Sequence, residues 1–237
     1  MAGVSRSAAS LSESVVRVEV GHVVSHGSMV SRAYLVEHCA GVVVDGGDRG
    51  LWLVSSPVAL LPDPDGLRLW AEAEKGIPFE HGQPRLMKIV LRWRGELTGE
   101  LTGELKVPQV LSGPLGAAAV SLSVPASLRD RLLSDDGPAP VDLGQDIPLE
   151  LGDEVCVAVS GAAGSLVRWG RVSSDPGFAG RPGGFALGLG LSAGEAGSPV
   201  FALGSGGTRF CGLAEPLDSH TSRLLSLRAL AEPIASG

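Results

Sequence analysis

The stretch Gly194-Glu195-Ala196-Gly197-Ser198-Pro199-Val200-Phe201 carries the clearest structural signal in this chain. Its two glycines mark a turn, and the apolar run that follows predicts a strand over residues 199–203. Alone, the pattern Gly-x-x-Gly-x-Pro-Val is moderately specific, because such spacings arise by chance in Gly-rich proteins. Its meaning therefore depends on the rest of the chain.

Short apolar segments recur along the chain between breaks rich in the 34 glycines and 16 prolines. Nine more of them predict strands, over residues 14–20, 41–44, 51–55, 88–93, 117–123, 154–160, 165–172, 184–190 and 209–214. Helical spacing is limited to residues 126–133 and to a short C-terminal segment around residues 227–234. So many strands without alternating helices predict an all-β barrel or sandwich.

The chain divides at a stretch rich in Pro and Asp over residues 134–148, which predicts a linker between two halves. We expect a disordered tail over residues 1–12, a first β-barrel over 13–133, and a second barrel with the C-terminal helix over 149–237.

Residues 95–105 form a tandem repeat, Gly-Glu-Leu-Thr twice and then Gly-Glu-Leu. As a strand, this period places all the glutamates on one face and all the leucines on the other. Same-face neighbours two residues apart already lie about 7 Å from each other, so glutamates four apart do not easily share a cation. The repeat predicts a hairpin strand with a solvent-facing side.

Composition excludes several classes of function. A net charge of −7 argues against nucleic-acid binding, which rests on Lys and Arg neutralising phosphates. No apolar run approaches the roughly 20 residues of a membrane span. The three cysteines, Cys39, Cys156 and Cys211, lack metal-ligand spacing and are an odd number. We therefore expect buried free thiols, an intracellular location without a secretory signal, and neither metal nor cofactor.

Read in order, several segments resemble the trypsin-like (chymotrypsin/HtrA–Deg) serine peptidases. The resemblance rests on residues 53–58, 115–122, 151–158, 170–173, 194–201 and 210–214, with residues 222–227 as the closing strand. It implies a double barrel built from two six-stranded antiparallel β-barrels. In that alignment Pro57, Gly116 and Ala196 occupy the histidine, aspartate and serine positions of the catalytic triad. None of these three residues can accept a proton, orient a base or attack a carbonyl.

Two features of the family would survive such substitutions. An oxyanion hole is formed by backbone N–H groups, which correspond here to Gly194 and Ala196. A peptide can also add as a strand beside the cleft, where the resemblance places Phe210, Cys211, Gly212 and Leu213. These features favour an inactive peptidase homologue that binds a protein or peptide, as a scaffold within a larger complex.

Two other hypotheses remain open. The first is an active intracellular serine endopeptidase with Ser198 as a non-standard nucleophile, although none of the five histidines ends the strand that would present it to Ser198. The second is an unrelated Gly-rich β-sandwich. Labelling by a fluorophosphonate probe would distinguish the first from a binding module.

Overall fold

The computed structural model describes most of the core of the chain. The described residues are 11–26, 31–45, 51–56, 64–76, 83–93, 96–102, 110–112, 118–122, 129–130, 132–134, 137–138, 140–141, 149–161, 164–173, 184–204 and 207–226. Several predicted features lie wholly or largely outside them: Pro57, Gly116, the tail over residues 1–12, the linker over residues 134–148 and the C-terminal helix around residues 227–234.

Strands make up most of the described structure. They are β1 (Val15–His26), β2 (Ser31–Asp45), β3 (Leu51–Ser55), β4 (Gln83–Trp93), β5 (Glu96–Thr102), β6 (Val110–Ser112), β7 (Ala118–Leu122), β8 (Glu154–Gly161), β9 (Gly164–Arg171), β10 (Gly184–Leu187), β11 (Ser198–Gly204), β12 (Gly207–Pro216) and β13 (Ser222–Ser226). An α-helix, α1, spans Pro64–Lys75, and short 3-10 helices span Ser12–Ser14 and Ala193–Glu195. Of the helix predicted over residues 126–133, the described residues 129, 130 and 132 are helical.

The strands form two antiparallel sheets. The first contains seven strands in the order β5-β4-β1-β2-β3-β7-β6, and the second contains six in the order β10-β13-β12-β11-β8-β9. The predicted all-β class is confirmed, with seven strands rather than six in the first sheet. The additional strand is β6, whose three residues are too few to show a period in the sequence. The described part of the Gly-Glu-Leu-Thr repeat, residues 96–102, forms β5, which pairs with β4 in a hairpin as predicted.

Successive side chains of strand β3 point to opposite faces of the first sheet and so contribute to two different hydrophobic cores. Its five residues are all buried. Trp52 and Val54 point into a core shared by both sheets, whereas Leu51 and Leu53 point into the interior of the first sheet. The shared core includes Phe201 and other residues of the second sheet, so the two sheets pack directly against each other.

Helix α1 was not predicted. Pro64 at its first position, Asp65 in its first turn and Lys75 in its last turn suit a short helix. Leu67 and Ala71, one turn apart, form a buried cluster with Val24 of β1. No described helix is long and apolar enough to cross a membrane.

Candidate functional site

The Gly194–Phe201 stretch begins with a tightly bonded turn. Ser192 caps the 3-10 helix Ala193–Glu195, and the Glu195 carboxylate accepts bonds from the Ser192 backbone N–H at 2.8 Å and from its hydroxyl at 3.0 Å. The other carboxylate oxygen accepts a bond at 2.8 Å from Arg168 of β9. A second nitrogen of that guanidinium donates to the Gly190 carbonyl at 3.2 Å. Arg168 therefore ties this turn to the edge strand of the second sheet.

The next two residues pack against the first sheet. The Ala196 carbonyl accepts a bond at 2.8 Å from the Ala40 N–H of β2. Gly197 has a φ of +85°, and a methyl carbon there would lie 2.3 Å from the Ala40 carbonyl oxygen and 2.7 Å from the Ser56 nitrogen. Only glycine fits this conformation and this spacing. The glycine recognised in the sequence thus marks the seam between the two sheets.

The predicted oxyanion donors lie in the 3-10 turn. Gly194 is exposed, and Ala196 is buried with its N–H donating to the Ala193 carbonyl at 3.2 Å. The Ala196 donor can reach a ligand oxygen only after that turn bond breaks. An oxyanion hole at Gly194 and Ala196 stays a prediction.

Ser198, the hydroxyl proposed from the sequence as an alternative nucleophile, begins β11 and is fully buried. Its Oγ donates to the Glu195 carbonyl at 2.7 Å. None of the described histidine rings is hydrogen-bonded to Ser198: His22 is buried on β1, His38 lies on β2 beside Arg17, and His220 lies in the exposed turn after β12.

The predicted peptide-binding edge requires a correction for two of its residues. Gly212 and Leu213 of β12 pair with Val200 and Pro199 of β11 on one side and with Ser226 and Leu225 of β13 on the other. Their backbone groups are already in the sheet, so no further strand can add there. For Phe210 and Cys211, strand addition stays a prediction.

The structure also brings together three polar residues that the sequence analysis did not select. Ser56 follows β3, directly before the position assigned to the histidine, and its Oγ donates to the Glu215 carboxylate of β12 at 2.9 Å. Arg223 of β13 donates to the second carboxylate oxygen. Ser56 and Glu215 are 159 residues apart. No local sequence pattern predicts this contact. Glu215 and Arg223, in contrast, are cross-strand neighbours in the antiparallel pairing of β12 with β13.

No described group of His, Cys, Asp and Glu residues could hold a metal ion. Three free cysteines, Cys39, Cys156 and Cys211, are buried, as predicted. Burial, and secondarily the nearby charge of Glu154, raises the pKa of the Cys156 thiol. This thiol is therefore held in its unreactive neutral form.

Comparison with solved structures identifies the fold. A thermostable serine protease, AL20, from an extremophilic microorganism superposes with a TM-score of 0.60 at 10% identity, over 96% of this chain and 97% of that chain. The active form of the Rv3671c protease from M. tuberculosis has a TM-score of 0.55 at 13% identity, over 96% and 82%. Deg5 has a TM-score of 0.52 at 14% identity, over 93% and 87%. Neither a protein-family model nor a curated protein matches the chain.

These neighbours establish the trypsin-like double-barrel fold and exclude the unrelated β-sandwich. They also overturn one sequence prediction. The sequence alone predicts a non-catalytic binding module because of the residues that the alignment assigns to the triad. Two of these, Pro57 and Gly116, lie outside the described residues. The structural neighbours include serine proteases, one of them in its active form, which favours the peptidase alternative.

Proposed function

We propose that the chain is a serine peptidase that cleaves polypeptide substrates at the seam between its two sheets. The observation that carries this proposal is a cluster of buried polar groups at the seam of a protease fold. We define the seam cluster as Ser55, Ser56, Ser198 and Glu215, all of which are buried. A hydroxyl with a carboxylate in reach provides the elements of nucleophilic catalysis, even without a histidine at the usual position.

The position of the seam cluster supports this proposal. A methyl carbon at Gly197 would lie 3.0 Å from the Ser55 hydroxyl and 2.7 Å from the Ser56 nitrogen, so Ser55 and Ser56 pack against the Gly194–Phe201 stretch, which itself contributes Ser198. Buried hydroxyls and carboxylates cost free energy unless they are bonded. Their concentration at one place, where the two sheets meet, supports a functional role for the seam cluster.

The same proposal places the enzyme inside the cell. Its three buried cysteines are free, and such thiols are usual in a reducing compartment. The partner in this view is the polypeptide substrate itself.

The test combines cleavage of fluorescein-labelled casein with covalent labelling by a fluorophosphonate probe. We expect the full chain to give both signals, and the triple variant Ser55→Ala, Ser56→Ala, Ser198→Ala to lose both. The matched control is Ser222→Ala, which removes a buried hydroxyl that donates to a backbone carbonyl outside the cluster, that of Leu189 at 2.6 Å. A native chain without cleavage and labelling, or a triple variant as active as the control, would overturn the proposal.

A further inference from the structure

At the seam, a serine hydroxyl, a carboxylate and a guanidinium are hydrogen-bonded to one another in sequence. Ser56, Glu215 and Arg223 come from the end of β3, from β12 and from β13, and they form a continuous chain of hydrogen bonds. The Glu215 carboxylate receives the Ser56 hydroxyl on one oxygen at 2.9 Å and the Arg223 guanidinium on the other. The Glu215 side chain is only 6% exposed and that of Arg223 only 17%.

This arrangement is costly for the fold. Moving a carboxylate and a guanidinium out of water carries a desolvation penalty that their attraction offsets only with good geometry and further hydrogen bonds. Here the Nε of Arg223 is buried with no hydrogen-bond partner in the described structure, so the pairing is incomplete. Apolar side chains would pack this place with less penalty, so stability alone does not account for the three residues.

The three fully buried serines of the seam cluster differ in where their protons point. The hydroxyl of Ser55 donates to the Ala40 backbone carbonyl. The hydroxyl of Ser198 donates to the Glu195 backbone carbonyl, which cannot take up a proton at neutral pH. The hydroxyl of Ser56 donates to a carboxylate, which can accept a proton. Arg223 holds that carboxylate from the opposite side, as the orienting third group of a nucleophile and base pair does.

We propose that Ser56 is the nucleophile of this peptidase, with Glu215 as its general base and Arg223 as the residue that positions Glu215. This inference rests on the serine peptidase function proposed above and names its reacting groups. The Ser56 Oγ bonds to the carbonyl carbon of the substrate while its proton passes to Glu215. Glu215 then protonates the leaving amine as the C–N bond breaks, and a water molecule hydrolyses the resulting ester, returning the proton to Ser56 through the same carboxylate.

The burial of Ser56 has a consequence for how the reaction is measured. Because Ser56 has no exposed surface, a substrate or probe reaches it only when neighbouring residues move. We therefore expect labelling to be slow, and its rate is best followed over hours with excess probe. A short incubation with a single end point would confuse slow access with lack of reactivity.

The decisive experiment locates the label. The native chain is treated with a fluorophosphonate probe and digested, and the modified serine is identified by mass spectrometry. We expect the modification on Ser56. A label on Ser198 would leave the peptidase function standing and overturn this inference, as would casein cleavage that persists in Ser56→Ala. A native chain with neither label nor cleavage would overturn the function as well.

Variants then test the two supporting groups. Glu215→Gln keeps the size of the side chain but cannot take up the proton, so the labelling rate should fall at least about a hundredfold. Thermal unfolding of the same variant verifies that it is folded, and an unchanged labelling rate would remove Glu215 from the mechanism.

For the positioning role of Arg223, we expect Arg223→Lys to retain a higher kcat than Arg223→Met at equal KM. A merely structural role would instead lower the melting temperature without this graded loss of kcat.

Discussion

The backbone N–H of Ala40 donates a 2.8 Å hydrogen bond to the carbonyl of Ala196. This bond joins β2 of the first sheet to the Gly194–Phe201 stretch of the second, directly before Gly197. Since Gly197 in turn packs on Ser56, the loop and the end of β3 form one contact region. Both proposals depend on this seam, and its components can be tested separately.

The first prediction concerns the close contact at Gly197. Replacement by Ala forces a side chain into a φ of +85° and places its methyl carbon 2.3 Å from the Ala40 carbonyl oxygen. We expect Gly197→Ala to lower the free energy of unfolding by about 2–4 kcal/mol in urea denaturation. The matched control is Gly194→Ala, where a methyl carbon meets nothing within 4 Å and the change should stay within about 0.5 kcal/mol. Equal losses in the two variants would contradict the close packing of Gly197 at the seam.

The second prediction compares two ion pairs of equal length. Glu195 pairs with Arg168 and Glu154 with Arg171, both at 2.8 Å, but the glutamate side chains are 13% and 57% exposed. Glu195→Gln also weakens the cap on Ser192, so we expect a loss of about 1–2 kcal/mol in unfolding free energy. Glu154→Gln should cost no more than about 0.5 kcal/mol, because water screens the exposed pair. A larger loss of unfolding free energy in Glu154→Gln than in Glu195→Gln would contradict this prediction.

The third prediction is a pH dependence from Cys156. Burial, and then the charge of Glu154, raises its pKa above the ordinary value of 9.0. Between that value and the raised one, the unfolded chain releases the proton while the folded chain keeps it, so stability is lost as the pH rises above 9.0. The slope should reach up to about 1.4 kcal/mol per pH unit. Unfolding of the native chain and of Cys156→Ala from about pH 8 to about pH 10.5 isolates this contribution, and parallel curves would refute it.

The fourth prediction tests the helix that the sequence analysis missed. Leu67 of α1 is 4% exposed against Val24, while Leu69 on the same helix is 67% exposed. We expect Leu67→Ala to cost about 2–3 kcal/mol of unfolding free energy, because it leaves a cavity under the helix. Leu69→Ala should change stability by less than about 0.5 kcal/mol. Similar effects of both changes would mean that α1 does not pack on β1 as described.

The strands could be predicted because their signal is local. Alternation along a strand and glycine or proline at its ends are written in a few consecutive residues, and β3 was predicted with the bounds Leu51–Ser55 that the structure shows. Helix α1 was missed although Leu67 and Ala71 have helical spacing, because its apolar face is narrow and the surrounding residues are charged. Its stability depends on packing against β1, and that contact cannot be recognised from the residues of the helix alone.

The site divides in the same way. The sequence by itself determined the all-β class, most strand positions and the turn around Gly197, since each depends on neighbouring residues and on backbone geometry. Only the tertiary structure decided which groups meet at the seam. Ser56 and Glu215 are separated by 159 residues and come together because the packing of the two sheets brings the end of β3 against β12. Contacts across a packed seam have no period in the sequence, so the residues proposed to react could be found only after the fold was known.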